Sequence, residues 1–409
     1  MKVFMSKSIW YISKYFSAKT KNSAGGRDWF LMNELGKLGF DVTVIASDSN
    51  TASEVPLISS AVQKDQRDNL VIYWLKTYKY TIPKSAKRVL SWFHFEWLLF
   101  KFNKKELHRP DVVIASSLSL FSIINGYLLR RKYGCKLVLE VRDIWPLTIV
   151  EEGGFSPKHP FVMLLARLER FAYKTADVIV GTMPNLGEHV HNILGFQKPT
   201  YCVPMGFDPN VLSIQENVDE EIVKKYFKNG KFHVVYAGTI GITNALDTLF
   251  EAAEKLVDNE NIHFVILGEG ALKSDYMRRY AHCNNISFMP KVSRLMVQSV
   301  LKNADALYLS AFDSKVWQYG QSLNKIIDYM VAARPIIASY SGYQSMINEA
   351  KSGFFVPSEN ANAVVEKILL LKDMSKQDRD AMGERGREWI LHNRNYDKLA
   401  RYYADIIFE

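Results

Sequence analysis

The stretch His233-Val-Val-Tyr-Ala-Gly-Thr-Ile-Gly241 joins a short apolar run to a glycine-containing turn, and a helical pattern follows it. Apolar, β-rich runs separated by helical segments are typical of parallel α/β units. The run His263–Leu267 repeats the arrangement, because Gly268-Glu-Gly270 comes directly after it. Glycines at such turns let backbone N–H groups approach a phosphate, although many α/β proteins have them for packing alone. The sequence therefore predicts an α/β fold whose turns are suited to an anion.

The same alternation of short strands and helices extends over the whole chain. A chain of 409 residues is too long for one ordinary core, so we expect two doubly wound, Rossmann-like domains of roughly 200 residues each. The predicted strands of the first half are Lys2–Met5, Val42–Ala46, Val71–Leu75, Val112–Ala115, Leu137–Val141, Val178–Val180 and Tyr201–Val203. Those of the second half are His233–Ala237, His263–Leu267, Ile286–Phe288, Ala306–Leu309, Ile336–Ala338 and Phe354–Val356. The predicted helices of the second half are 244–257, 271–282, 293–303, 323–333, 343–350, 360–371, 376–391 and 394–408.

The segment Pro204-Met-Gly-Phe-Asp-Pro-Asn210 is the best candidate for a linker, because it combines glycine and two prolines between a strand and a charged helix. We therefore expect an N-terminal domain over residues 1–204 and a C-terminal domain over 210–390. The last helix, about 394–409, is expected to complete the N-terminal domain. Two consecutive domains of this kind normally leave a cleft at the carboxyl ends of their strands, where ligands bind.

The bulk composition limits the class of protein. Three cysteines, Cys135, Cys202 and Cys283, are odd in number and widely spaced, which predicts neither a disulfide framework nor a zinc site. The N-terminal residues lack the apolar run of a signal peptide, and no segment approaches 18 uncharged apolar residues. We therefore expect a cytoplasmic protein without a membrane-spanning segment.

The net charge of +9 is concentrated between Lys76 and Arg109, where nine basic residues face two acidic ones and aromatic residues are interleaved. Such a segment suits an anionic membrane surface, where cations meet lipid phosphates and aromatic rings sit at the headgroups. Two alternatives stay open: a nucleic-acid surface, and a helix whose aromatic residues face the core while its lysines are solvated. We favour the membrane surface and expect no nucleic acid partner.

The most informative stretch is Tyr319-Gly-Gln-Ser-Leu-Asn-Lys-Ile-Ile-Asp-Tyr-Met-Val-Ala-Ala-Arg-Pro335. Ser322 is a natural N-cap, which places Lys325 at about the third helical position and Asp328 one turn later on the same face. A helix start that combines free N–H groups with a lysine is suited to a diphosphate. Asp328 is then expected either to bind ribose hydroxyls or to pair with Lys325. The alternative is an ordinary capped surface helix with an ion pair.

Two loops of the first domain are candidates for contact with a second substrate. Gly25-Gly26 precedes the predicted helix Arg27–Leu38, where a flexible loop can close over a ligand, although an ordinary turn is as good an explanation. Arg142-Asp143-Ile-Trp145-Pro follows a predicted central strand, and Asp143 is placed to orient or deprotonate an acceptor hydroxyl. The alternatives for Asp143 are a salt bridge to Arg142 or a helix cap.

Several classes of site lack support in the sequence. Apart from Glu188-His189-Val-His191, the sequence has no closely spaced histidines, His-Glu cluster or cysteine pair, and we expect no transition metal. Asp378-Arg-Asp380 follows Ser375 and is interpreted as a helix start rather than as a metal-nucleotide motif. The glycine turns do not complete the three-glycine dinucleotide fingerprint, which disfavours a nicotinamide cofactor. No cofactor is therefore expected.

Taken together, the motifs resemble those of the retaining GT-B glycosyltransferases of family 4. The resemblance is carried by the Gly-Gly loop of the first domain, by AGTIG, LGEG and MPKVSR in the second, and by the helix ending YMVAARPIIAS. The variant SLNKIIDYM, together with RDIWP, is similar to the branch that acts in bacterial surface-polysaccharide and O-antigen assembly. That branch includes transferases of N-acetyl-L-fucosamine from UDP to a polyprenyl diphosphate-linked sugar.

The resemblance implies a role for particular residues. It implies donor binding through Gly238, Thr239, Gly241, Gly268, Glu269, Gly270, Lys291, Val292, Ser322, Asn324, Lys325 and Asp328. It implies acceptor binding through Gly25, Gly26, Arg142 and Trp145, with Asp143 and Lys325 as the catalytic residues. The chain departs from the family where Gly320 replaces the first acid of the paired-glutamate motif, and where basic residues are missing after Gly241. Neutralisation of the diphosphate is therefore expected to depend mainly on Lys325.

The function implied is retaining, metal-independent transfer of a sugar, with N-acetyl-L-fucosamine or a related amino sugar from UDP as the best candidate. The acceptor is expected to be a polyprenyl-diphosphate-linked saccharide, used at the inner face of the cell membrane. The rival enzyme class is a nucleotide-sugar 2-epimerase, but His94, His189 and His191 are not at convincing strand ends. A non-enzymatic membrane or nucleic-acid binding module is a further alternative. It explains the basic segment but does not explain the loops of the second domain.

Overall fold

The computed structural model describes residues 7–20, 25–50, 54–82 and 85–409. The chain divides into two compact units. The N-terminal unit comprises Met1–Gly206 together with Tyr396–Glu409, and the C-terminal unit comprises Phe207–Asn395. The division falls inside the segment 204–210 expected to be a linker, and the last helix belongs to the N-terminal unit.

The N-terminal unit is built on an eight-stranded sheet in the order β3-β4-β2-β1-β5-β6-β7-β8. Every pair of neighbours is parallel except the hairpin of β3 and β4. The strands are β1 (Ser8–Ser13), β2 (Asp41–Ser47), β3 (Val62–Arg67), β4 (Leu70–Leu75), β5 (Val112–Ser116), β6 (Lys136–Val141), β7 (Val178–Gly181) and β8 (Thr200–Cys202). The helices are α1 (Arg27–Lys37), α2 (Ala86–Lys101), α3 (Ser122–Tyr133), α4 (Leu147–Glu151), α5 (Pro160–Thr175) and α6 (Leu186–Leu194).

The C-terminal unit is built on a six-stranded, wholly parallel sheet in the order β11-β10-β9-β12-β13-β14. Its strands are β9 (Phe232–Ala237), β10 (Ile262–Leu267), β11 (Ile286–Met289), β12 (Ala306–Ser310), β13 (Ile336–Ser339) and β14 (Gly353–Val356). Its helices are α7 (Glu220–Tyr226), α8 (Asp247–Lys255), α9 (Lys273–Arg279), α10 (Val297–Leu301), α11 (Asn324–Val331), α12 (Ala361–Asp373) and α13 (Lys376–Asn393). The central strands are buried along their whole length, as expected for parallel strands covered by helices on both faces.

The last helix, α14 (Tyr396–Phe408), returns to the N-terminal unit and packs on α1. Tyr396 stacks on Phe30 with ring centroids 4.8 Å apart, and Phe408 stacks on Phe40 at 4.9 Å. Its apolar face joins the core that α1 and the central strands form. The predicted two-domain, Rossmann-like α/β architecture is confirmed.

Three details of the predicted secondary structure differ. The strand predicted at Lys2–Met5 lies outside the described residues, whereas the central strand β1 is at Ser8–Ser13 and was not predicted. The antiparallel strand β3 was also missed, because its sequence is polar and half-exposed. The helix predicted at 343–350 is wrong: turns occupy residues 346–350, and Met346, with a φ of +28°, interrupts helical geometry.

The basic, aromatic segment 76–109 contains α2, whose burial was open in the sequence. Trp92, Phe95 and Leu99 face the core, while Phe93 and Trp97 are about half exposed. One face of the helix therefore packs on the core and the other is exposed, and the membrane interpretation of the exposed face stays a prediction. In the described part of the chain, no helix has both the length and the hydropathy needed to cross a bilayer.

Candidate functional site

A cavity of about 530 Å³ opens in the C-terminal unit where β9 and β10 end. The carboxyl ends of parallel strands meet at one edge of a sheet, here called the carboxyl edge, and ligands of open α/β sheets bind there. The lining residues come from the two glycine turns, the loop after β11, α10 and the start of α11. They are Ala237, Gly238, Thr239, Asn244, Leu267, Gly268, Glu269, Lys291, Val292, Arg294, Val297, Leu301, Leu323, Asn324, Lys325, Asp328 and Tyr329.

The two glycine turns interlock behind this cavity. The Gly238 N–H donates to the Leu267 carbonyl at 3.0 Å, and the Ile240 N–H donates to the Glu269 carbonyl at 2.9 Å. A Cβ added to Gly268, whose φ is +141°, would lie 1.9 Å from the Gly238 carbonyl oxygen. Glycine at position 268 is therefore required by the close approach of the two turns. The Gly238 N–H is already used within the protein and is not available to a ligand.

Lys325 projects from the start of α11 toward the first glycine turn. Its Nζ donates to Asn244 Oδ1 at 2.7 Å and to the Tyr236 hydroxyl at 3.1 Å, and it lies 4.4 Å from the centroid of the Tyr236 ring. Within the described residues no carboxylate pairs with Lys325. Burial lowers the pKa of this ammonium to about 8. Lys325 is thus a desolvated positive charge with neutral neighbours, which is suited to an anionic ligand.

Tyr329 fixes α11 against the sheet and so positions Lys325. Its buried hydroxyl donates to the Tyr308 carbonyl at 3.0 Å and accepts the Ala237 N–H at 2.9 Å. Because Ala237 is the last residue of β9, this contact ties the helix to the strand that leads into the first glycine turn. No motif in the sequence indicated this role for Tyr329.

Asp328 is held by Arg294, which the sequence had not assigned to any role. The two terminal nitrogens of Arg294 donate to the two carboxylate oxygens of Asp328 at 2.6 and 2.7 Å. Burial raises the pKa of Asp328, and the guanidinium opposes that rise. Of the two alternatives for Asp328, pairing with Lys325 is therefore wrong, because Lys325 is directed toward Asn244. Binding of ribose hydroxyls stays a prediction.

The start of α11 differs from the predicted one. Leu323, with an extended backbone, occupies the N-cap position, and no side chain caps the helix. Ser322 is therefore not the N-cap, and Lys325 is the second helical residue instead of the third. Three of the residues assigned to donor binding, Ser322, Gly241 and Gly270, do not line the cavity, while the other nine do. Gly270 has a packing role, since a Cβ there would lie 2.1 Å from the Ile240 carbonyl oxygen.

Asp143 lies at the carboxyl edge of the N-terminal sheet, directly after β6. Its carboxylate accepts the Trp145 Nε1–H at 2.8 Å and the Thr148 hydroxyl at 2.6 Å. The predicted alternative of an ion pair with Arg142 is absent, because Arg142 pairs with Asp28 at 3.3 Å. Asp143 is not a helix cap either, because Pro146 occupies the N-cap position of α4. Trp145 therefore orients Asp143 and packs edge-on against Trp92, with centroids 5.5 Å apart.

The Gly25-Gly26 loop reaches the same edge through Asp28. The Gly26 N–H donates to the Ser17 carbonyl at 2.8 Å, and a Cβ at Gly26 would lie 2.7 Å from Asp28 Oδ1. Since Asp28 also binds Arg142, the structure brings the predicted acceptor loop and the Arg142-Asp143 loop together. Gly25 has a φ of +90°, a conformation that favours glycine.

A buried charge network beneath this edge was not foreseen. Arg27 and Glu140 are both fully buried and pair at 2.7 Å. Arg27 also donates to the carbonyls of Val203 and Pro204, while the Tyr11 hydroxyl donates to Glu140 at 2.6 Å. These contacts join α1, β6 and β1 to Val203 and Pro204, close to the end of the segment Met1–Gly206.

A group of cations, here called the Lys14 cluster, lies where β1, β2 and β4 end. It comprises Lys14, Lys79 and Arg88 around Asp48 and Tyr15. Lys14 is 1% exposed and donates to the Ser49 carbonyl at 3.0 Å. Its pKa is lowered to about 7, first by burial and then by the neighbouring Arg88. Asp48 pairs with Lys79 at 2.8 Å, and the buried Glu96 also acts on Lys14. Three cations therefore meet two carboxylates, and an excess of positive charge remains.

The tertiary structure also assembles a group that spacing in the sequence did not show. Possible ligand atoms of Glu254, His282 and Cys283 lie within 4.8 Å of one another. His282 Nε2 and Glu254 Oε1 are already paired at 2.8 Å, and burial raises the pKa of the Cys283 thiol. These residues are not among those that line the cavity, and the group gives no reason to assign it a catalytic role.

Comparison with known families decides the class of protein. Residues 231–373 match the model described as glycosyl transferases group 1, and residues 30–206 match the glycosyl transferase 4-like domain. The two matches lie one on each unit and together cover most of the chain. The chain is a GT-B glycosyltransferase.

Relatives of this glycosyltransferase are distant. It is similar to the probable glycosyltransferase WbjE of Pseudomonas aeruginosa, with 23% identity over 72% of this chain and 74% of the relative. It is also similar to a poly(ribitol-phosphate) alpha-N-acetylglucosaminyltransferase of Staphylococcus aureus, with 25% identity over 48% of this chain and 39% of the relative.

Solved structures agree with the glycosyltransferase fold. Sucrose-phosphate synthase of Thermosynechococcus elongatus superposes with a TM-score of 0.70 at 16% identity, over 98% of both chains. HepE of Anabaena, solved with UDP and glucose, superposes with a TM-score of 0.61 at 12% identity, also over 98% of both chains. At these identities the likeness establishes the fold.

Proposed function

We propose that this glycosyltransferase moves a sugar from a nucleoside diphosphate to a lipid-linked saccharide, with retention of configuration. The observation that supports the donor half is Lys325, a desolvated ammonium at the carboxyl edge of the C-terminal sheet that pairs with no carboxylate among residues 7–20, 25–50, 54–82 and 85–409. Its neighbours in the cavity include Lys291 and the Arg294–Asp328 pair. A diphosphate supplies the negative charge that this arrangement lacks.

The chemical demand of the reaction is to stabilise the departing nucleoside diphosphate while the sugar becomes oxocarbenium-like. Fixed positive charge at the leaving group is usually the largest contribution to such catalysis. In the proposed reaction the bond from the anomeric carbon to the diphosphate breaks as the acceptor oxygen attacks on the same face. The leaving phosphate takes the acceptor's proton. Because Lys325 supplies charge directly, the proposed reaction requires no metal.

UDP is our proposed nucleotide, since HepE of the same fold was solved with UDP. An amino sugar such as N-acetyl-L-fucosamine is the proposed glycosyl group. The Staphylococcus aureus relative, named as an N-acetylglucosaminyltransferase, is consistent with an N-acetylated sugar. In this proposal Asp328, aligned by Arg294, accepts hydrogen bonds from the ribose.

The proposed acceptor is a saccharide on a polyprenyl diphosphate, used in surface-polysaccharide or O-antigen synthesis. Support comes from the Lys14 cluster, because its excess positive charge lies at the carboxyl edge of the N-terminal sheet and suits a phosphate group. In the proposal Lys79, about half exposed, contacts the acceptor phosphate and buried Lys14 contributes its field. Asp143 orients the acceptor hydroxyl.

We place the protein in the cytoplasm, on the inner face of the cell membrane. The outer face of α2 supports this location, because the exposed Phe93, Trp97 and Phe100 lie there between Lys87 and Lys101, at the two ends of the helix. Amphipathic helices with aromatic and basic side chains bind in the plane of anionic membranes. Access to a lipid-linked acceptor is then direct.

A panel of UDP- and GDP-sugars, scored by mass spectrometry for slow donor hydrolysis and for transfer, tests the donor assignment. We expect hydrolysis of a UDP-amino sugar and a loss of about 10²–10³-fold in the Lys325→Met variant. Lys255→Met, which removes an exposed lysine from α8, is the matched control and retains activity. Normal turnover by Lys325→Met, or epimerisation of the sugar nucleotide in place of transfer, contradicts the proposal.

A further inference from the structure

A second cavity, of about 550 Å³, lies in the N-terminal unit between the end of α2, the loop that follows it and α3. Four lysines line it: Lys101, Lys104, Lys105 and Lys132. None of its lining residues is acidic. Within the described chain, none of the four lysines forms an ion pair with a carboxylate. The cavity therefore concentrates uncompensated positive charge.

Two lysines of this cavity, Lys104 and Lys132, lie near enough to repel each other, while the Lys101 ammonium lies 4.5 Å from the centroid of the Trp97 ring. Lys104 Nζ donates to the Phe102 carbonyl at 2.9 Å, so the ammonium is fixed near the cavity wall. Its pKa is lowered to about 8, by burial first and by Lys132 second. An anion bound between them would relieve both effects, since it replaces lost hydration and offsets the repulsion of like charges.

An exposed apolar stripe runs from this cavity along α2. Leu90, Phe93, Trp97 and Phe100 are 58%, 48%, 50% and 67% exposed, and their spacing places them on one face of the helix. Leu128 on α3 is also exposed and, like Phe100, lines the cavity. Apolar surface and anion-binding charge are therefore continuous.

The stripe connects two different edges of the N-terminal sheet. Near the start of α2, Arg88 Nε and Trp92 Nε1 donate to the Tyr15 hydroxyl at 3.0 and 2.6 Å, which places that end at the carboxyl edge. The helix has 16 residues and so extends about 24 Å. The lysine-lined cavity lies at its other end, remote from Asp143. It is thus separate from the proposed acceptor site.

We propose that this cavity binds the phosphate headgroup of an anionic membrane lipid, while the apolar stripe of α2 enters the acyl-chain boundary. A free phosphate ion satisfies the lysines equally well but leaves the adjoining apolar surface exposed. A lipid satisfies both, because its phosphate and its chains are joined. This inference extends the membrane location given under the proposed function, and it is independent of which sugar is transferred.

Flotation of the full chain with vesicles, in the absence of donor, tests the site. Vesicles of phosphatidylcholine alone are compared with vesicles that also contain phosphatidylglycerol. The test variant replaces Lys101, Lys105 and Lys132 with Gln. The matched control replaces the exposed Lys224, Lys225 and Lys228 of the C-terminal unit with Gln and changes the net charge equally. From the usual contribution of a surface lysine, we expect the test variant to bind anionic vesicles on the order of 100-fold more weakly.

The control is expected to float like the unaltered chain, and Phe100→Ser is expected to weaken flotation on its own. Equal binding to both kinds of vesicle, or an equal loss in the control, overturns the proposal. The proposal is also overturned if the test variant floats normally but binds glycerol phosphate or a single-stranded oligonucleotide more weakly than the unaltered chain. The cavity would then bind a free phosphate compound or a nucleic acid, and not a membrane lipid. Donor hydrolysis by the test variant is expected to be normal, so a failure here is distinct from a failure of the transferase proposal.

Discussion

Arg294 and Asp328, 34 residues apart in sequence, meet in a two-point ion pair at the rim of the donor cavity, with N–O distances of 2.6 and 2.7 Å. Arg294→Gln leaves a carboxylate whose pKa burial already raises, so Asp328 becomes a poorer acceptor for ribose hydroxyls. We expect the donor KM to rise about 10-fold, the usual value of a hydrogen bond to a charged group. Steady-state kinetics measure this, with Arg278→Gln, in an exposed pair on α9, as the control. A fall in KM would instead mean that the ion pair competes with the donor.

The pH dependence of donor use follows from the pKa of Lys325, which burial lowers to about 8. Only the protonated form attracts a diphosphate, so kcat/KM for the donor is expected to be flat below about pH 8 and to decline above it. A bound diphosphate raises the pKa of the ammonium, so kcat is expected to hold to higher pH than kcat/KM. In Lys325→Arg, whose side chain stays charged, the decline is expected to disappear. An unchanged decline in that variant assigns the titration to another group.

Gly268→Ala tests the interlocking of the glycine turns. The new Cβ would overlap the Gly238 carbonyl at 1.9 Å, in a backbone with φ of +141°, and we expect a loss of more than about 2 kcal/mol in unfolding free energy. The matched control is Gly241→Ala, where the nearest contact is an ordinary 3.6 Å to Thr239 Cγ2. Urea denaturation measures both. Equal midpoints for the two variants would show that the turns rearrange freely.

Arg27→Met tests the buried network of the N-terminal unit. It leaves Glu140 as an unpaired charge in a fully buried position, and a loss of about 3–5 kcal/mol is expected. The control, Arg67→Met, removes a partly exposed pair with Asp65 and is expected to cost less than about 1 kcal/mol. Denaturant unfolding compares the two. A second change, Glu140→Gln, is expected to recover part of the loss, and failure to recover it means that the contacts of Arg27 to Val203 and Pro204 dominate.

Asp143→Asn tests the acceptor side. The amide keeps a carbonyl oxygen for Trp145 or Thr148 but loses the charge that orients the acceptor hydroxyl. We expect transfer to fall about 10²-fold, because misplacement of a reacting group by about 1 Å costs a rate factor of that order. Donor hydrolysis without acceptor is the internal control and is expected to be unchanged. A normal transfer rate would remove Asp143 from the acceptor site.

Local patterns predicted local structure well. Ser375 caps α13 as its spacing with Asp378 predicts, because its hydroxyl accepts the Asp378 N–H at 3.1 Å. The same reasoning was wrong for Ser322, where the extended backbone of Leu323 delays the helix. Unlike a freely capped helix, α11 is tied to β9 and β12 through Tyr329, in its second turn. Tertiary contacts of this kind routinely override local preferences.

The sequence by itself determined the two parallel α/β units, the glycine turns and the position of Lys325 in the first turn of a helix. These follow from hydrophobic periodicity and from short-range backbone geometry, which act over a few residues. Tertiary structure alone decided that Asp328 pairs with Arg294, that Arg142 pairs with Asp28, and that one face of α2 stays exposed. The two ion pairs join residues from separate elements, and the exposure of α2 depends on what packs against it. All three therefore depend on which elements become neighbours in the folded unit.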